Sequence, residues 1–279
     1  MITAKTFEND RKPELYLLMG VGDRAFLTVS ALLFALSCVA TILWCASMSA
    51  MGGMPMPGSW EMSMVWMRMP GQTWPDAAAS FLGMWLLMMV AMMLPCLVPM
   101  LLRYRRMHAT RGEANLGPLT AMAGAGYFLI WAVAGAALFP LGVGLAAIEM
   151  QQPALARAVP MTTGVVVLIA GALQFSPWKA RYLARCGAAY RNSCALPAYA
   201  GAAWRYGIRL GLHCARCCAN LMAILLVIGI MDLGTMVLVT GALTTERLAR
   251  SGDGARRAVG IAVIGVGSFL IARAIIAGP

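Results

Sequence analysis

Three of the chain's eight cysteines and one of its two histidines fall within six residues: His213, Cys214, Cys217 and Cys218. They belong to the stretch Gly211-Leu212-His213-Cys214-Ala215-Arg216-Cys217-Cys218-Ala219-Asn220-Leu221-Met222, which runs into an apolar segment reaching Leu243. On a helix, residues three or four apart share adjoining faces, so these four side chains can meet one metal. Thiolate and imidazole suit soft or borderline metals, chiefly Cu(I), Zn(II) and iron–sulfur centres. The plainer reading is packing, because free cysteine behaves as a small hydrophobe. A histidine and Arg216 inside an apolar segment favour the chemical reading, since intramembrane ionisable groups usually serve a function.

Methionine supplies a second soft donor. Eight methionines lie between Met48 and Met69, interrupted by Gly52, Gly53, Pro55, Pro57 and Gly58. Thioether sulfur selects Cu(I) and needs no deprotonation. Met48, Met51, Met54 and Met56 are therefore candidates for a secondary, external copper-collecting site. Alternatively the loop lies in the interface, with Met, Trp60, Trp66 and Trp74 as apolar anchors. A stripe at intervals of four follows, Met84, Met88 and Met92, beside Met89, Met93, Cys96 and Met100. Met88 and Met92 are candidates to join the cysteines, next to a kink expected at Pro95. Asp232 is the only carboxylate inside an expected span and needs a partner there, Arg216 or a metal.

The elements that must position these groups follow from composition. Of 279 residues 61% are hydrophobic and 12% charged, with mean hydropathy +0.74, against roughly 25% charged in soluble proteins. The fold class is all-α, a polytopic transmembrane helix bundle. Residues 1–24 read as a cytoplasmic tail, the first apolar run starting too late for a cleavable signal peptide. Residues 25–279 form one transmembrane domain, with a Met-rich external loop (48–76) and a basic, amphipathic inner-face segment (177–198) carrying Cys186. The net charge of +11 implies anionic headgroups as partner rather than nucleic acid.

Spans are expected at about 25–47, 77–102, 120–141, 159–175 and 258–277. Basic clusters precede the first span, follow the second (with His108 as a solvated loop histidine), fill 179–209 and recur at 247–257. Cytoplasmic loops collect Lys and Arg. One straight helix through Cys217 and Leu243 would put the last cluster outside, whereas a hairpin turning near 227–234 keeps all four inside. Seven membrane segments result, N-terminus in and C-terminus out; six, with one long tilted helix, is the alternative. At 1.5 Å per residue the cysteines then stand near mid-bilayer.

Five blocks together resemble a known family: Trp85 with Met88-Met89-Val90-Ala91-Met92-Met93-Leu94-Pro95; Pro177-Trp178-Lys179 with Cys186; Gly211, Cys214, Cys217-Cys218 and Leu221-Met222; Gly229-Ile230-Met231-Asp232-Leu233; and Glu246-Arg247. The resemblance, over about residues 80–265, is to a bacterial family of predicted metal-binding integral membrane proteins of unknown function. It implies a multi-pass inner-membrane protein and a metal, without fixing the reaction or the metal. The chain departs from that family's pattern at Arg216, Ala219, Asp232 and Arg247, where glycine, tryptophan, asparagine and lysine are usual.

Two classes of function follow. One is copper handling in the bacterial inner membrane, as a binding and transfer component or the membrane subunit of a copper-dependent oxidoreductase, with a membrane or periplasmic protein partner. The other is a small-solute permease or structural subunit, in which Met and Cys merely pack. There is no Walker loop, dinucleotide fingerprint or nucleophile elbow, and no residue is singled out as catalytic.

Overall fold

The computed structural model describes residues 21–50, 52–57, 60–69, 71–110, 113, 115–183, 199–248 and 252–277. The N-terminal tail before residue 21, Met51, and residues 184–198 with Cys186 and Cys194 lie outside the described residues. The described chain is helical almost throughout. Its elements are α1 (Val21–Ala50), α2 (Trp74–Ala109), α3 (Leu116–Gln151), α4 (Pro153–Leu173), α5 (Ala200–Ile228), α6 (Leu233–Leu248) and α7 (Gly252–Ala277). Between α1 and α2 stand a two-stranded hairpin, β1 (Met54–Met56) with β2 (Trp60–Met62), and a short 3-10 turn, Met64–Trp66.

Six helices, α1 to α5 and α7, are long and apolar enough to cross a membrane. The seventh, α6, has 16 residues and measures about 24 Å, short of the roughly 30 Å hydrocarbon layer. It descends antiparallel to α5 from a turn at Gly229–Asp232. Gly229 makes that turn with φ 144°, a conformation open to glycine and costly for residues bearing a Cβ. Its N–H closes the end of α5 on the Leu225 carbonyl at 3.1 Å, and the Asp232 N–H returns to the Gly229 carbonyl at 3.2 Å. The carboxylate of Asp232 then accepts the Thr235 N–H at 2.5 Å at the start of α6. The hairpin expected from charge therefore forms, and the single straight helix does not.

The helices alternate direction, so all described basic clusters gather at one end of the bundle. Asp23 of α1 reaches Arg106 of α2 at 3.0 Å and Arg105 at 3.7 Å. Tyr104 stacks on Tyr206 of α5, ring centroids 5.1 Å apart. His108, expected in a solvated loop, is instead buried: α2 runs on to Ala109, and the imidazole lies against Tyr104 with Nδ1 3.0 Å from the Tyr104 carbonyl. At the opposite end the Met-rich loop folds over the bundle. The Trp60 indole donates to the Ala156 carbonyl at 2.8 Å, and Trp66 packs on Phe81 at 5.4 Å.

Close packing comes from glycine, as expected where lipid supplies no hydrophobic drive between helices. A Cβ at Gly126 would stand 2.6 Å from the Trp204 carbonyl, one at Gly211 2.8 Å from the Tyr127 carbonyl, and one at Gly207 would clash with Ala123. Backbone contact between α3 and α5 thus depends on these three positions. Gly135 likewise admits Trp85, whose indole donates to the Trp131 carbonyl at 2.8 Å.

Candidate metal site

The face of α5 turned to the bundle carries Leu210, Cys214, Cys217, Cys218, Leu221 and Leu225, all buried. Because α3 touches α5 at Gly207 and Gly211, Tyr127 comes down on the cysteine face, with its hydroxyl 2.8 Å from the Cys214 sulfur. From α2, the Met93 thioether lies 3.8 Å from Cys214 Sγ. Cys218, one turn further along α5, places its sulfur 3.7 Å from that of Cys214. From α6, one nitrogen of the Arg247 guanidinium donates to both sulfurs, at 3.1 Å to Cys214 and 2.9 Å to Cys218, and to the Cys214 carbonyl at 3.4 Å. Cys96 of α2 is buried alongside, within 4.0 Å of the Leu243 carbonyl and 3.9 Å of the Thr244 hydroxyl.

A second polar layer backs this group. Lys179, in the helical segment 177–183, has no exposed surface. Its ammonium donates to the Cys217 carbonyl at 2.6 Å and to Asn220 Oδ1 at 3.1 Å, and pairs with Glu246 at 3.0 Å. Gln174 donates to the other Glu246 oxygen at 2.7 Å, and Asn220 to the Ala170 carbonyl at 3.2 Å. Arg256 of α7 closes the layer on the Gln174 carbonyl. Within the expected 177–198 segment, the described part 177–183 carries a lysine that is a buried strut and not a headgroup charge.

The depth of the site follows from these partners. It stands midway along α5, but at the level where α4 and α6 end and α7 begins. α1, α2, α3 and α5 continue past it toward the basic end, α1 reaching Arg105 and Arg106 with its first turn. The sulfurs stand near mid-length on α2 and α5, while α4, α6 and α7 approach them with the ends that face the basic clusters.

Of the residues singled out by sequence, Cys214 and Cys218 come together with Met93. Cys217 is buried one position away, its carbonyl held by Lys179. His213 is half-buried on the next face of α5, and Arg216 is exposed. Met88 and Met92 are buried in the core along α2, on the far side of Met93 from the basic end. Asp232 is not at this level. It is exposed at the hairpin turn, where it caps α6. Among the described residues the buried carboxylate is Glu246, and its partner is Lys179. At the other end of the bundle Met48 lines a cavity, while Met54 and Met56 stand half-buried in β1.

Among the described residues, no three His, Cys, Asp or Glu side chains gather as a metal-holding group. The donors that do meet are two thiols and a thioether. Sulfurs bound at about 2.3 Å to one metal stand roughly 3.8 Å apart in a tetrahedron and wider in a plane. The observed 3.7 and 3.8 Å spacings correspond to the compact end of that range. An all-sulfur set of low coordination number fits Cu(I) better than a metal that wants nitrogen or oxygen.

The copper-chaperone family PpoB2 matches residues 82–270, which take in α2 after its first two turns, the cysteine site, Lys179, the hairpin and most of α7. The chain belongs to that family. Every donor of the site, Met93, Cys214 and Cys218, falls inside the match, as do Tyr127, Lys179, Glu246 and Arg247. The Met-rich loop before residue 82 falls outside it. No curated protein and no solved structure matches the chain.

Proposed function

We propose that the chain is a membrane-embedded Cu(I) carrier, which binds the ion between Cys214 and Cys218 and passes it to another protein. The observation that carries this reading is the sulfur group itself: the buried Cys214 thiol with the Cys218 thiol at 3.7 Å and the Met93 thioether at 3.8 Å. Membership of a copper-chaperone family supports it. Bound as a dithiolate, Cu(I) would leave one net negative charge on the site. Arg247 offsets that charge where lipid and buried helices would otherwise penalise it. Zn(II) on the same two thiolates would instead leave the arginine charge uncompensated, which disfavours it. Met93 offers a third, neutral donor, and an ion held by two or three sulfurs can be attacked by an incoming thiol or thioether of a partner.

The basic end faces the cytoplasm on this reading, because Arg103, Arg105, Arg106, Arg205, Arg209, Arg256 and Arg257 all gather there. The membrane is then the bacterial inner membrane, with the Met-rich loop outside.

The test is metal per chain. Protein purified anaerobically with Cu(I), native and as Cys214→Ser/Cys218→Ser, is compared by elemental analysis. Serine keeps the volume and can bond back to its own helix, but a neutral hydroxyl is a poor ligand for a soft cation. A tightly held copper in the native chain, lost in the variant, supports the reading. A native chain without tight copper under these conditions overturns it and returns the protein to the permease or structural class.

A further inference from the structure

The cavity beneath the Met-rich loop has a lining that the cysteine site does not account for. It encloses about 220 Å³, and five of its eleven lining residues are methionines: Met48 from α1, Met64, Met67 and Met69 from the loop, and Met84 from α2. Gln72 and Ser80 are its polar side chains, and no carboxylate or imidazole lines it.

Methionine is concentrated in one part of the chain. Fifteen of its 23 methionines fall between Met48 and Met107, whereas α1 has none before Met48 and α7 has none at all. The lipid-facing positions of α1 are filled by Leu32, Leu33, Leu36, Val39, Ile42 and Leu43 instead. Five thioethers around one space form a soft, neutral donor set, which selects Cu(I) and gives hard divalent cations nothing to bind.

The cavity is also in line with the cysteine site. Met84 lines it and begins the buried row Met84, Met88, Met92, one turn apart on α2. Met93, beside Met92, touches Cys214. Met84 and Met93 are nine residues apart, roughly 13 Å along the helix. The row thus connects a thioether pocket at one end of the bundle with a thiol pair toward the other.

We infer that this pocket is a second Cu(I) site, weaker than the cysteine pair and opening toward the end opposite the basic clusters. The inference rests on the copper reading above for its cargo, but not on the cysteine residues. Neutral thioethers bind less tightly than thiolates, so the pocket exchanges its ion readily and feeds the tighter station along α2.

Full-length protein in detergent is titrated with Cu(I) against a competing Cu(I) chelator. The native chain takes up two coppers, one tight and one weak. Met64→Leu/Met67→Leu/Met69→Leu, which preserves apolar volume, keeps the tight copper and loses the weak one. Met67→Leu/Met69→Leu, altered only outside the helices, shows the same loss and guards against misfolding of the triple variant. Cys214→Ser/Cys218→Ser keeps the weak copper, with a sulfur shell by X-ray absorption. If both Met variants still bind two coppers, or if the native chain binds only the copper that the cysteine variant loses, the pocket is not a site. Should the cysteine variant retain the tight copper, the earlier reading fails while the pocket is judged on the Met variants alone.

Discussion

Arg247 stands 2.9 Å from the Cys218 sulfur, while its chain neighbour Glu246 pairs with Lys179 at 3.0 Å. Two adjacent residues at the end of α6 thus divide the work. One presents positive charge to the sulfurs, and the other neutralises the lysine that holds the backbone of the same cysteine turn. Loss of a hydrogen-bond partner of a metal-ligating side chain commonly costs roughly 10- to 100-fold in affinity. Arg247→Gln is therefore expected to weaken Cu(I) binding by roughly that factor and to narrow the preference for Cu(I) over Zn(II). Arg247→Lys keeps the charge without the planar fork and falls between the two. Competition titrations with each metal measure both effects, and an unchanged metal preference in the glutamine variant would exclude the charge-matching role.

Lys179 and Glu246 are buried to 0% and 1% side-chain exposure. Removing one member leaves the other uncompensated, at a cost of about 3–5 kcal/mol, whereas replacing both by apolar residues of similar size is often neutral. Lys179→Met and Glu246→Leu should each lower the thermal midpoint in detergent strongly, and the double variant should recover most of the loss. A double variant as unstable as the sum of the singles would mean that the pair is not the interaction that matters.

Much of the fold was legible because hydropathy alone marks a membrane helix. The hairpin was legible for a different reason: Arg247, Arg250, Arg256 and Arg257 could not sit on the cytoplasmic side if Cys217 and Leu243 shared one straight helix. At the site, Cys214 and Cys218 were legible because four residues on a helix make one face. Their partners were not. Tyr127, Arg247 and Met93 lie 87, 33 and 121 residues away from Cys214 in the chain, and helical periodicity carries no information about which helix packs on which. Lys179 read as a headgroup charge because it follows a span and precedes other basic residues. Asp232 drew notice as the carboxylate in the middle of an apolar run, although Asp just before a helix is a capping residue. The adjacent opposite charges of Glu246 and Arg247 at the end of a span were the available signal for the buried layer.

Gly207 and Gly211 set how closely α3 approaches the cysteines. Leucine at Gly207 would meet the Ala123 backbone, which cannot move aside cheaply. Gly207→Leu is expected to force α3 outward and cost about 1–3 kcal/mol. Tyr127→Phe, by contrast, removes only the hydroxyl 2.8 Å from Cys214, a change of about 1 kcal/mol. If Tyr127 orients the sulfur, Tyr127→Phe should lower Cu(I) affinity several-fold while leaving the melting curve in place, and Gly207→Leu should lower both. Equal affinity for native protein and Tyr127→Phe would reduce the tyrosine to a packing group.

The orientation of the bundle yields a test that needs no metal. α6 and α7 are joined at the basic end, close to Gly252, and α7 runs from there to Ala277. If positive charge sets topology, an accessible tag inserted beside Gly252 reports the cytoplasm, and one following Ala277 reports the opposite side. A tag in the Met-rich loop, between Met56 and Trp60, must agree with the second. All three are set by the same relationship, since α5 and α6 form a hairpin and every other described helix crosses once. A cytoplasmic signal from the Met-rich loop would invert the bundle, bringing the methionine pocket to the inner face and the basic clusters outside. A Gly252 tag and a Met-loop tag reporting the same side would contradict the hairpin itself.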